Sequence, residues 1–151
     1  MLRSGLNDAL KTAMRERDAA TVSTLRLILA ALKDRDIAAR PKGNSTGIGD
    51  DEILGMLQGM IKQRRESIAL YEKGGRADLV DKETQEIVVI ERFLPKQMDE
   101  SAMAQAIAAL VKELGAASVK DMGRVMGELK ARYSGQMDFA KASGLVKQQL
   151  G

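Results

Sequence analysis

Apolar residues recur every three or four positions along nearly the whole chain, which is the spacing of one face of an α-helix. The first of these stripes contains Leu2, Leu6 and Leu10, and charged residues occupy the other faces. Ala, Leu, Met, Glu, Lys, Gln and Arg dominate the sequence, and all of them favour helices. No segment alternates apolar and polar residues as a strand would. The sequence therefore predicts an all-α protein.

Capping and breaking residues divide the stripes into separate helices. Aspartate or serine before a stripe predicts an N-cap, and glycine or proline after a stripe predicts its end. This reasoning gives seven helices. The dividing residues are Asp18, Pro41, Asp50, Gly74, Pro95, Asp99, Gly115, Ser118 and Asp138.

The predicted domain boundary lies between Leu94 and Pro95, because proline stops the fourth helix and the composition then shifts toward Ala, Met and Gly. Residues 1–94 would form an N-terminal lobe of four helices, and residues 95–151 a C-terminal lobe of three. The second lobe carries eight basic and six acidic side chains, whereas the whole chain has a net charge of +3. Charge alone therefore does not indicate a nucleic-acid partner.

The sequence contains no cysteine and no histidine. This excludes cysteine nucleophiles, serine-histidine-aspartate triads, and thiolate or imidazole metal ligands. Charged residues close to Met1 interrupt any apolar signal core, and no apolar run approaches the length of a membrane span. We therefore expect a cytoplasmic protein with no catalytic residues of its own and no membrane partner.

Two further segments invite a ligand-binding interpretation. Residues 40–49 (RPKGNSTGIG) are rich in glycine but lack the lysine of a nucleotide-binding loop, so a flexible linker is the simpler interpretation. The acidic clusters at residues 34–36 and 50–52 lack the spacing of a calcium loop. The sequence predicts no metal and no cofactor.

One charged residue interrupts an apolar stripe. Arg64 lies in the stripe of the third helix, and Glu83 occupies a corresponding position in the fourth. A half-buried arginine requires an acceptor, and a helical hairpin would bring these two side chains together. We predict a structural ion pair between Arg64 and Glu83.

Four sequence strings, spread over most of the chain, resemble the YqeY-like family. They are residues 24–28 (TLRLI), 61–67 (IKQRRES), 93–97 (FLPKQ) and 119–127 (VKDMGRVMG). The C-terminal half of that family is similar to the tail domain of the GatB component of the tRNA-dependent Asp/Glu-tRNA amidotransferase, and the shared piece is called the GatB/YqeY domain. The resemblance implies a three-helix bundle of the GatB/YqeY type for residues 95–151.

The resemblance also implies a partner, either tRNA or a protein of the tRNA aminoacylation or amidation machinery. A label such as carbon-nitrogen ligase with glutamine as amido-N-donor would follow from the same kinship. The residues supply no nucleophile for that chemistry, which would lie on other subunits. An accessory role in such a ligase therefore stands beside direct tRNA binding.

The sixth predicted helix carries the sharpest candidate for an RNA contact. Lys120 and Arg124 are one helical turn apart, and Gly123 and Gly127 would let an RNA backbone approach. Alternatively, the glycines permit close helix packing and the charges form a solvated face. Further basic candidates for the same patch are Lys130, Arg132 and Lys141, with Lys112 and Lys147.

A different class of function is a protein adaptor without RNA. Methionine-rich surfaces adapt to many partners, and Met56, Met98 and Met103 are the predicted exposed contacts. A contiguous exposed apolar patch would favour this alternative over RNA binding.

Overall fold

The computed structural model describes residues 1–151 and contains seven α-helices, two short 3-10 turns and no strand. The all-α prediction is confirmed. The helices are α1 (Leu2–Arg15), α2 (Ala19–Ala39), α3 (Asp50–Lys73), α4 (Ala77–Glu91), α5 (Glu100–Leu114), α6 (Met122–Arg132) and α7 (Phe139–Leu150).

The chain divides into two compact units, Met1–Pro95 and Lys96–Gly151. The first, here the N-terminal unit, contains α1 to α4. The second, here the C-terminal unit, contains α5 to α7. Each unit encloses its own apolar core.

In the N-terminal unit, α3 packs along α4, α4 along α2, and α2 along α1. Apolar stripes of all four helices meet in one core, and its largest completely buried side chains are Leu6, Leu25, Ile28, Ile53, Leu57 and Ile90. Asp18 caps α2 as predicted, because its side chain accepts from the Thr21 amide.

Hydrogen bonds hold the segment between α2 and α3 in place. Asn44 Oδ1 accepts from the Gly47 amide at 3.0 Å, and the Ile48 side chain is buried. Arg3 Nη1 lies 2.6 Å from Asp36 Oδ2, and Arg3 Nη2 donates to the Ile48 carbonyl at 3.0 Å. Asp36 Oδ1 in turn accepts from the Ile48 amide at 2.9 Å. We call Arg3, Asp36 and Ile48 the clasp. Because these bonds fix the segment between α2 and α3, the structure differs from the flexible linker predicted for residues 40–49.

The predicted partner of Arg64 proves to be the more distant of two carboxylates. Arg64 Nε donates to Glu86 Oε2 at 2.8 Å, whereas Glu83 Oε2 lies 3.8 Å away. The Nη1 atom of Arg64 also donates to the Met60 carbonyl. The Arg64 side chain is only 12% exposed, so the trio of Arg64, Glu83 and Glu86 ties α3 to α4 in a largely dry environment.

In the C-terminal unit, α5, α6 and α7 pack pairwise around a second core. Asp99 caps α5 by accepting from the Ala102 amide, and Asp138 caps α7 by accepting from the Ala140 amide. Gly115 ends α5 in the left-handed conformation. The core residues are Met103, Ile107, Leu110, Val125, Leu129, Met137, Ala142, Val146 and Leu150.

The start of the sixth helix differs from the prediction. Residues Val119–Asp121 form a 3-10 turn, and α6 begins only at Met122. The Ser118 side chain accepts from the Lys120 amide, which favours the tighter turn. Lys120 therefore lies on this turn, ahead of the helix that carries Arg124.

None of the seven helices is by itself long and apolar enough to cross a membrane. Glu100–Leu114 and Val119–Arg132 together have sufficient length and composition, but they are bent by 98° at the break between them.

Candidate nucleic-acid interface

The α6 helix buries one side and exposes the other. Val125 and Leu129 point into the core, whereas Gly123, Gly127 and Lys130 are exposed. Residues three and four apart are neighbours on a helix surface. Gly123, Gly127 and Lys130 are therefore neighbours along the exposed side of α6, and we call these three residues the outer strip.

The two glycines are not packing positions. A β-carbon at Gly123 or Gly127 would have no neighbouring atom within 4 Å. Close helix packing, the alternative interpretation of these glycines, is therefore not what the structure contains. Their conformations are helical, so no turn requires them either. The strip is open to a ligand that approaches the helix backbone closely.

Asp121 organises the turn before α6 and partly engages Arg124. Its Oδ2 accepts from the Ala117 amide at 2.9 Å, and its Oδ1 lies 3.2 Å from Arg124 Nη2. The Ala117 amide, followed by the Ser118 amide and the charge of Arg124, holds the pKa of Asp121 below its ordinary value. Half of the Arg124 side chain is still exposed.

Arg132 is committed to two carboxylates of its own unit. Its Nη1 and Nη2 donate to the two oxygens of Glu113 at 2.8 and 2.9 Å, and its Nε donates to Glu128 at 3.2 Å. These bonds lower the pKa of Glu113 and raise the pKa of Arg132. The fork ties α5 to α6, and each of the three guanidinium nitrogens of Arg132 already donates to a carboxylate.

The lysines behave differently from the arginines. Lys120, Lys130 and Lys141 are all exposed, and none of them forms a salt bridge. Lys141 and Lys147 line an open groove on α7 together with Glu100. The predicted basic set therefore contains free lysines on the turn before α6 and on α6 (Lys120 and Lys130), free lysines on α7 (Lys141 and Lys147), and two arginines that already contact carboxylates (Arg124 and Arg132).

The methionines predicted to form an exposed contact surface are mostly internal. Met56 is 2% exposed and Met103 is 3% exposed, and Met98 packs against the core of the C-terminal unit. Helical registry explains the error, because both buried methionines fall on the core face of their helices. The large apolar side chains that do reach solvent are Met1, Met14, Leu27, Ile37, Leu70, Val88 and Val119.

The acidic clusters have structural partners. Asp36 belongs to the clasp, and Asp50 Oδ1 accepts from the Leu2 amide at 3.3 Å. No three acidic side chains come together in a geometry that would hold a metal ion.

The chain is thus an all-α protein of two compact units. Its C-terminal unit exposes lysines without salt bridges close to the open strip of Gly123 and Gly127. The chain belongs to the YqeY-like family, since the family described as "Yqey-like protein" matches residues 3–150.

Named relatives come from several yeasts. "Altered inheritance of mitochondria protein 41, mitochondrial" of Vanderwaltozyma polyspora is 30% identical over 78% of this chain and 65% of its own length. The protein of the same name from Kluyveromyces lactis is 30% identical over 71% and 57%. That of Eremothecium gossypii is 34% identical over 70% and 57%. The chain thus spans roughly three-fifths of the curated relatives it matches.

These names contradict the predicted cytoplasmic location, because the relatives are named as mitochondrial proteins. The prediction treated charges near Met1 as an argument against targeting. That argument is sound only for secretory signals, since mitochondrial targeting segments are themselves basic and amphipathic.

Proposed function

We propose that this chain is a non-catalytic helical module that binds tRNA, or a tRNA-amidating complex, through its C-terminal unit. The observation that carries the proposal is the surface of α6 and of the turn before it. Lys120 on the turn and Lys130 on the helix lack carboxylate partners, and Gly123 and Gly127 leave the helix backbone open. Phosphates are bound by such cations, and glycine permits close approach of a backbone.

The resemblance of this half of the chain to the amidotransferase tail domain supports tRNA as the ligand. Only Phe93, Phe139, Tyr71 and Tyr133 are aromatic, and the chain has no tryptophan. A stacking platform for single-stranded bases is therefore not available. Structured RNA, contacted through its phosphates, fits these residues better.

The experiment measures binding of bulk tRNA and of a duplex RNA across a salt series. The test variant is Lys120→Ala with Lys130→Ala, and the matched control is Lys62→Ala with Lys73→Ala on α3, which removes the same charge from the N-terminal unit. The slope of log affinity against log salt is negative for RNA binding, and we expect the test variant to make it less steep by about 2. The control variant should change that slope by less than about half as much.

Equal losses in the two variants would indicate attraction by net charge alone and would contradict a site at α6. Preferential binding of the duplex over tRNA would contradict tRNA as the ligand. If neither RNA binds, two candidates remain, a protein adaptor without RNA and an accessory role in a glutamine-dependent ligase whose chemistry lies on other subunits.

A further inference from the structure

The α2 helix is apolar on two sides of its circumference. Leu25, Ile28 and Leu32 are buried in the core of the N-terminal unit, whereas Leu27 and Ile37 on another side are each 45% exposed. The exposed side also carries Arg26 and Lys33, so it combines apolar and basic side chains. An amphipathic partner can match such a surface with both of its faces.

Two grooves run beside this outer side. One lies between α2 and α4, encloses about 310 Å³, and is lined by Thr24, Val88 and Val89 among others. The second lies between the end of α1 and α2, where Met14 and Leu27 line it. Ser23 lines both of them, and we call the two together the α2 groove.

The charges along the α2 groove are almost all positive. Arg17, Arg26, Lys82 and Arg92 line it, and none of them forms a salt bridge. The only carboxylate in its lining is Glu86, which already accepts from Arg64 at 2.8 Å.

The neighbouring acid is also committed. Asp18, whose pKa is lowered by its hydrogen bonds to Thr21 and further by the charge of Arg92, caps α2 through Thr21. The four cations of the groove therefore have no carboxylate at salt-bridge distance.

The turn between α1 and α2 places Arg17 in the lining of the groove. Arg17 has a φ of +55° and is the only residue other than glycine with a positive φ. A glycine would adopt this conformation without strain. A Schellman motif at the end of α1 accounts for it, since the Asp18 amide donates to the Ala13 carbonyl at 3.0 Å and the Arg17 amide to the Met14 carbonyl at 3.2 Å. The contribution of Arg17 to the groove is therefore its unpaired charge.

We propose that the α2 groove binds an acidic amphipathic helix of a partner protein. An apolar stripe on that helix would cover Met14, Leu27 and Val88, and its flanking carboxylates would meet the four cations. An RNA backbone would satisfy the cations but leave half-exposed apolar side chains against phosphates. This surface belongs to the N-terminal unit, so the proposal goes beyond tRNA binding at α6.

The test uses the full chain and a fluorescein-labelled synthetic peptide of roughly 18 residues, with leucine on one helical stripe and glutamate beside it. One control peptide has the same composition in scrambled order, and another replaces glutamate with lysine. A photoreactive group on the acidic peptide identifies the residues that it contacts. We expect binding of the acidic peptide only, with crosslinks confined to residues 14–27 and 82–92.

The decisive variant is Arg26→Glu with Arg92→Glu, and its matched control is Lys62→Glu with Lys73→Glu on α3. We expect the groove variant to lose about tenfold or more in affinity for the acidic peptide and to gain affinity for the lysine peptide. The α3 variant should do neither. Arg17→Gly should weaken peptide binding while leaving the thermal midpoint unchanged or higher.

Three results would overturn the proposal. They are the absence of binding by the acidic peptide, crosslinks that map outside the groove, and a groove variant that loses tRNA affinity but keeps the peptide. The last result would make the groove an RNA contact.

Discussion

Arg3 at the start of α1 and Asp36 near the end of α2 form a two-point pair, with Nη1 to Oδ2 at 2.6 Å and Nη2 to Oδ1 at 3.0 Å. The Arg3 guanidinium is the largest influence that holds the pKa of Asp36 below its ordinary value. The charged form of Asp36 is thus favoured in the folded state.

Asp36→Asn should lower the free energy of unfolding at neutral pH by about 1 kcal/mol, a figure reduced for solvent screening because Arg3 is partly exposed. Since the folded pKa is depressed, the contribution is complete above the ordinary aspartate pKa of about 4 and disappears as pH falls below it. Chemical denaturation at several pH values checks this. The two proteins should converge in acid, and a constant difference down to the lowest pH would contradict the assignment.

Gly47 occupies a position where a side chain would strike the clasp. Its φ is +103°, and a β-carbon there would lie 2.6 Å from Arg3 Nη2 and 2.9 Å from Asp36 Oδ1. Gly47→Ala should therefore cost more than the roughly 1 kcal/mol expected for an alanine in a left-handed conformation alone.

Gly43 offers the matched control, because its φ is +91° and a β-carbon there would have no neighbour within 4 Å. Thermal unfolding of Gly43→Ala measures the backbone strain alone. Equal destabilisation by the two alanines would show that the clasp tolerates displacement.

The Arg64 trio predicts a ranking of stability losses. Arg64→Ala leaves the Glu86 carboxylate largely buried without its cation and should cost about 3 kcal/mol. Glu86→Gln should cost more than Glu83→Gln, because the Arg64 Nε distances are 2.8 and 3.8 Å. Urea denaturation of the single variants measures the ranking. A larger loss of stability in Glu83→Gln than in Glu86→Gln would contradict the geometry.

Gly123 and Gly127 allow stability and binding to be separated. Both are exposed helical positions with free space around the missing β-carbon, so alanine should raise stability by about 0.5–1 kcal/mol at each. If the open strip serves RNA, the more stable double variant should bind tRNA more weakly. Thermal unfolding and tRNA titration on the same preparations check both halves. Unchanged tRNA affinity would remove the glycines from the interface.

Local sequence information was sufficient for most of the fold. Asp18, Asp99 and Asp138 mark helix starts because capping is a contact between residues two or three apart. The apolar stripes likewise depend only on helical spacing. There are two exceptions. At α3, Asp50 is the first helical residue and Gly49 takes the N-cap position without a side-chain bond. At α6, the Ser118 side chain favours a 3-10 turn over the expected helix.

Contacts between distant residues were the part that sequence reasoning missed. Glu113 and Arg132 are 19 positions apart, and nothing local to either residue indicates their pairing. The choice of Glu86 over Glu83 depends on the rotation of α4 against α3. Asp36 is a residue whose pairing the sequence could have indicated. It lies on the same helical stripe as Leu25 and Leu32, and a carboxylate on an apolar stripe needs a partner. In the structure that partner is Arg3.

The four unpaired cations of the α2 groove also govern how the molecule meets its own copies. Two molecules that approach groove to groove would bring like charges together around their exposed apolar side chains. At low ionic strength this repulsion keeps the apolar surfaces apart, and added salt weakens it. If the groove binds an acidic partner, we expect the same charges to oppose self-association through it, and added salt to favour that association.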